Sequence, residues 1–196
     1  MKSIMPLQPG RYYHIYNRGN NREDLFREER NYRYFMGLYD RHITPVAETF
    51  AYCLLHNHFH FLVRISEPVP VPVTTSAAKA MKPSQAFSNC FNAYAKTINK
   101  AYGRTGSLFQ DRFGRIEVTT EAYFARLVVY IHRNPQKHGF VADFRDWPWS
   151  SYHALTGTSA TRLNRSAVLG WFGDQMEFHA LHQADYTEDL TGLRDL

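Results

Sequence analysis

One stretch constrains this chain more than any other: Tyr52-Cys53-Leu54-Leu55-His56-Asn57-His58-Phe59-His60-Phe61-Leu62-Val63-Arg64. From His58 onward it alternates with period two. Phe59, Phe61 and Val63 face one way, while His58, His60 and Leu62 face the other, because residues two apart on a strand project from the same side of a sheet. The apolar flanks suit a strand deep in a core, where two imidazoles standing side by side need a reason to sit. A shared divalent cation is one such reason, since neutral imidazole is a common ligand for transition metals. The competing reading is a pair of core histidines in a chain that holds ten of them. His56 falls on the same face but at the expected turn, as a surface side chain.

A length of 196 residues suits one domain, or one domain with an appendage. With 44% hydrophobic and 15% aromatic residues the chain can build a real core. A net charge of +5 points mildly toward a polyanionic partner. The two cysteines, Cys53 and Cys90, imply no disulfide framework, and Cys53 reads as a buried thiol. No apolar run approaches the roughly 20 residues of a membrane span, and no signal-peptide core opens the chain. The expectation is a soluble cytoplasmic protein with no membrane partner.

In order, residues 11–19 read as a first strand after Pro9-Gly10, followed by a polar turn, Asn17 to Arg22, suited to phosphate contacts. Residues 28–42 carry Tyr32, Phe35, Met36 and Tyr39 at helical spacing. Residues 46–55 and 58–65 form a hairpin around His56-Asn57. Proline-rich residues 66–82 predict a long surface loop, and Pro83 opens a helix that Gly103 closes. A further strand covers 115–118, a helix runs from Thr120 to about Asn134, and Pro135 to Gly139 reads as its stop. Another short helix lies near 167–172, and the acidic tail beyond Leu181 is expected to pack little. The order βαββαβ predicts an α+β fold, a ferredoxin-like or RRM-like antiparallel sheet with helices packed on it. Residues 1–145 are expected to form the main domain and 146–196 a C-terminal extension.

On a wheel at about 100° per residue, Phe124, Val128 and Ile131 form the core stripe of the helix 120–134. Tyr123, Arg126, Tyr130, Arg133 and Asn134 cluster on the other side. A phenol can act as a nucleophile where a metal polarises its electrophile, and Asn134, four residues after Tyr130, can offer a carbonyl oxygen as a third ligand. The structural alternative places Tyr130 at the rim of the core with its hydroxyl outward.

Together, the His-hydrophobe-His strand and the later Tyr-x3-Asn helix resemble the HUH single-strand endonucleases. More narrowly they resemble the IS200/IS605-type Y1 transposases, and most closely the REP-associated tyrosine transposases. The motifs that carry the resemblance are LHNHFHFLV at 55–63, GSLFQDRF at 106–113, YIHRNPQKHGFV at 130–141 and WSSY at 149–152, within residues 9 to 153.

The resemblance implies that His58 and His60 hold Mg²⁺ or Mn²⁺ and that Tyr130 is the nucleophile, leaving a 5′-phosphotyrosine and a free 3′-OH. Asn134 stands where related enzymes place Gln as third ligand, keeping the amide with a shorter reach. Tyr123 is the alternative nucleophile. The implied substrate is single-stranded DNA beside a hairpin, and the implied assembly is either a homodimer or a monomer. Candidates for holding DNA are Arg11, Arg18, Arg22, Lys96, Arg112, Arg115, Arg126 and Arg133. Two other readings stay open: a non-catalytic module that stacks unpaired bases on surface aromatics, and a replication initiator or relaxase with the same chemistry.

Overall fold

A computed structural model describes residues 5–68, 81–110 and 112–184. Its elements are β1 (Tyr12–Arg18), α1 (Glu29–His42), β2 (Ala47–Leu54), β3 (His58–Ile65), α2 (Pro83–Ala101), β4 (Gly114–Val118), α3 (Glu121–Lys137), α4 (Tyr152–Thr156), α5 (Arg165–Phe172) and α6 (Gln175–Gln183). The strands form one sheet in the order β2-β3-β1-β4, every neighbouring pair antiparallel. The expected α+β plan is therefore the observed one. The expected loop at 66–82 falls largely on residues outside the described set. Among the described residues no helix is long and apolar enough to cross a membrane.

The period-two alternation decides what each sheet face holds. Tyr13, Ile15, Phe59, Phe61 and Val63 point toward α1 and α2 and are buried there. Phe35 of α1 packs on Phe59 with ring centroids 5.3 Å apart, and Tyr39 stacks on Phe61 at 4.4 Å. The opposite face carries His14, Tyr16, Arg18, His58 and His60, because the register sets Tyr16 against His60 and Arg18 against His58. Helix α3 covers that second face. Gly114 sits opposite Tyr16 in the sheet, and a Cβ there would lie 2.2 Å from the Tyr16 ring. Only glycine lets that tyrosine lie flat across β4.

Two expectations about α3 are corrected. The helix does not stop before Pro135 but runs on to Lys137. Proline forfeits one N–H bond and crowds the preceding turn, yet the chain closes normally afterwards. His138 N–H donates to Asn134 C=O at 3.0 Å, and Gly139 takes the left-handed conformation with φ 71°. Nor does α3 have one buried stripe: Leu127 through His132 are all buried. A helix buried all round must be covered on both sides, and α5 and α6 lie on the side away from the sheet, with Phe124 of α3 against Trp171 of α5.

The C-terminal segment is tied in by backbone pairing and a buried polar chain. Trp149 to Ser151 run beside β2, with Leu54 N–H donating to Trp149 C=O and Ser151 N–H to Tyr52 C=O, both at 2.9 Å, so the sheet edge is covered. Tyr52 N–H also donates to Ser151 Oγ at 2.8 Å, which lies 2.7 Å from His132 Nε2. His132 Nδ1 lies 2.8 Å from His182 Nε2, and His182 Nδ1 lies 2.7 Å from Phe178 C=O. His182 is fully buried, so the tail past Leu181 begins as core. Residues 185–196 lie outside the described set.

Candidate active site

Three histidines meet on the face under α3. His14, His58 and His60 are each exposed by 2% or less, which makes their hydrogen-bond partners decisive. Burial pulls His14 down to about 3 and His58 down to about 4, the latter against the opposing effect of its contact with Asn134. Burial also holds His60 well below the usual histidine range, reinforced by the nearby His14, His58, His138 and Arg18. All three are neutral at pH 7.

The proton positions then follow from the neighbours. Asn57 donates from Nδ2 to Arg22 C=O at 3.4 Å, which turns its Oδ1 toward His58 Nδ1 at 2.7 Å. His58 therefore carries its proton on Nδ1, and Nε2 keeps a lone pair. That lone pair faces Asn134 Oδ1, another acceptor, at 3.0 Å. His60 Nδ1 lies 2.9 Å from His14 Nε2, while His60 Nε2 and Asn134 Nδ2 are buried without partners. If His60 donates from Nδ1 to His14 Nε2, the His14 proton lies on its own buried, unpartnered Nδ1 and His60 Nε2 adds a further lone pair. Two imidazole nitrogens and one amide oxygen thus lack a proton to share, and a divalent cation is what such a set fits. Among the described residues no group of three His, Cys, Asp or Glu side chains could hold a metal ion, so the amide is needed as a third donor.

Tyr130 and Asn134 are one helical turn apart on α3, and both are buried. The Tyr130 ring stands edge-on to His60, with centroids 5.4 Å apart and planes at 77°. Lys137, brought onto this side by the continuation past Pro135, places Nζ 5.4 Å from the Tyr130 ring centre. His138 lies with its ring 4.9 Å from that of His58. Tyr123, two turns before Tyr130, is half-buried, and burial raises its phenol above the ordinary value, with smaller contributions from Tyr16 and Tyr130.

The cationic candidates separate by location. Arg18 projects from β1 into the histidine face. Its Nε is buried with no partner, and its guanidinium is lowered by burial and by Arg22 but supported by Tyr130. Arg22 sits in a turn where it and Asn21 both adopt positive φ, 61° and 52°. Arg126 is exposed, and Arg133 donates to Ala184 C=O at 2.5 Å, closing the end of α6. Arg11 lies at the far end of β1 beside Glu117. Lys96, Arg112 and Arg115 belong to the α2 side of the sheet. His14, Lys137 and His138 were missed from sequence. His14 was readable in principle, since it alternates with Tyr16 and Arg18, but its partner across the sheet required the register.

No protein-family model matches the chain. Over 109 residues it is 31% identical to a Haemophilus influenzae protein assigned as a REP-associated tyrosine transposase, covering 54% of this chain and 59% of that protein. Over 94 residues it is 29% identical to the REP-associated tyrosine transposase of Escherichia coli K12, covering 48% and 53%. The chain therefore matches somewhat more than half the length of these relatives. A solved structure of a REP-associated tyrosine transposase bound to a REP hairpin superposes with a TM-score of 0.56 at 19% identity, covering 79% of this chain and 84% of that one. Over about half its length the chain is thus similar in sequence to REP-associated tyrosine transposases, and it shares the fold of one of them.

Proposed function

We propose that the protein is a single-strand DNA endonuclease and strand transferase that cuts beside DNA hairpins through a covalent tyrosine link. The observation that carries this is the contact of His58 Nε2 with Asn134 Oδ1 at 3.0 Å, next to the buried, unpartnered His60 Nε2 and the Tyr130 ring. Those three residues would hold Mg²⁺ or Mn²⁺, which when bound supplies positive charge to the non-bridging oxygens of a phosphodiester. In this reading His14 accepts the His60 proton from Nδ1 at 2.9 Å, which leaves the other His60 nitrogen for the cation.

Tyr130 is the nucleophile. Its Oη forms a bond to phosphorus as the P–O3′ bond breaks. The phenolic proton passes to water, the departing 3′ oxygen takes up a proton from water, and the DNA is left as a 5′-phosphotyrosine and a free 3′-OH. The link conserves the phosphodiester energy, so attack by another 3′-OH rejoins a strand with no external energy source. An ordinary phenol ionises near 10. Lys137 over the ring and Arg18 nearby favour the phenolate by placing positive charge beside it. Arg18, with an unmet N–H, is the side chain here suited to the scissile phosphate.

Incubating the protein with labelled single-stranded hairpins and Mn²⁺ tests this. Wild type should cleave and leave a protein–DNA adduct, and Tyr130→Phe should lose both. Cleavage surviving in Tyr130→Phe would move the nucleophile to Tyr123. Binding without any adduct from wild type would favour the non-catalytic module.

A further inference from the structure

The sheet has a second furnished side. On the face away from the histidines a cleft of about 660 Å³ opens between α2, β1 and the segment before β4. Its volume is in the usual range for a small ligand. Asn17, one residue before Arg18 and so on the opposite face, lines it. Asn17 is 6% exposed, and its Oδ1 accepts the Arg18 backbone N–H at 2.8 Å. With Oδ1 engaged by that N–H, the amide's remaining group is Nδ2, a donor. The apolar wall includes Phe91 and Phe109. Arg115 lies over the Phe113 ring, 4.1 Å from its centre; its Nη1 donates to Ser84 Oγ at 3.0 Å and Met5 C=O at 3.3 Å, while its Nε is buried and unpartnered. Arg112 stands beside it, and among the described residues neither guanidinium has a carboxylate partner.

We infer that this cleft holds one nucleotide of single-stranded DNA, the base against the phenyl wall and the phosphate on Arg112 and Arg115. The inference rests on the single-strand reading above and extends it to a site on the other side of the sheet. Aromatic walls with flanking cations suit unpaired nucleotides, because every base offers an apolar face and every phosphate a charge. The Asn17 amide adds selectivity. A donor-only NH₂ satisfies a base edge that presents acceptors, as the O4 of thymine does. The exocyclic amino group of cytosine at the same position would leave donor facing donor.

Fluorescence anisotropy with labelled dT₆ and dC₆ tests the assignment. Wild type should bind dT₆ about tenfold more tightly than dC₆, the effect of one well-placed hydrogen bond. Asn17→Asp keeps the shape and the Arg18 contact but replaces the donor with an acceptor, and should remove or invert the preference. Arg112→Ala, at an exposed position, should weaken both oligonucleotides alike and reduce the salt slope by about one. Equal affinities in wild type, or a preference that Asn17→Asp leaves intact, would overturn the cleft. So would binding that Arg112→Ala does not change. The outcomes separate from those of the catalytic reading, because Tyr130→Phe protein serves equally well here. An adduct with no dT₆ preference removes the cleft alone, and a dT₆ preference with no adduct leaves the cleft while removing the nuclease.

Discussion

Acid should loosen the C-terminal helices through the chain from Ser151 to His132 to His182. The proton directions are fixed from the Phe178 end. Phe178 C=O can only accept, so His182 carries its proton on Nδ1 and its Nε2 accepts from His132 Nδ1–H; His132 Nε2 then accepts from the Ser151 hydroxyl. A proton added to His182 Nε2 puts donor against donor in a fully buried pair. Burial accordingly lowers His182 to about 4 and holds His132 well below the usual range. The unfolded chain, with histidine near 6.5, binds more protons than the folded one below that pH, so stability falls as pH falls from 6.5 toward 4. For His182 alone, integrating between those limits gives a loss of about 2 kcal/mol from pH 7 to pH 5. Urea unfolding at the two pH values measures it, provided each transition is single and cooperative. His182→Gln keeps an acceptor for His132 without a titrating ring. It should reduce the pH 7 to pH 5 loss by about 2 kcal/mol, at a cost at pH 7 of about 1 kcal/mol. An equal loss in wild type and His182→Gln would refute the reasoning.

Other consequences are as direct. Gly114→Ala drives a methyl into the Tyr16 ring and should destabilise by about 1–3 kcal/mol, read as a lower Tm. Asn134→Leu removes the oxygen donor and should weaken Mn²⁺ binding at least tenfold by calorimetry, whereas Asn134→Asp should retain it. His14→Leu removes the acceptor for the His60 Nδ1 proton, and a ten- to hundredfold weaker Mn²⁺ affinity should follow. His14→Gln, which can still accept that proton, should recover most of the loss, while a merely space-filling role would make Leu and Gln alike.

The order of strands and helices was legible because strand and helix periods leave different marks on apolar residues. The His58–Ile65 strand shows this most clearly, with its six-residue buried run and histidines at the first two places of one side. The pairing of Tyr130 with Asn134 was legible for the same reason, one turn of helix apart. What lay beyond the sequence came from contacts between distant segments. Pro135 looked like a stop, because the hydrogen bonds that carry the chain past it lie downstream. The arginines on the outer side of α3 looked equivalent, yet Arg133 closes α6 and Arg126 faces solvent. His14 and His182 each depend on a partner about 50 positions away, and no local pattern marks such a pair.

On the proposed reading His58, His60 and Asn134 share a cation beside Tyr130. Anomalous diffraction from crystals grown with Mn²⁺ tests it most directly. One peak is expected, in contact with His58 Nε2, His60 Nε2 and Asn134 Oδ1. No peak there, with the Asn134 amide turned so that its NH₂ donates to His58, would contradict it.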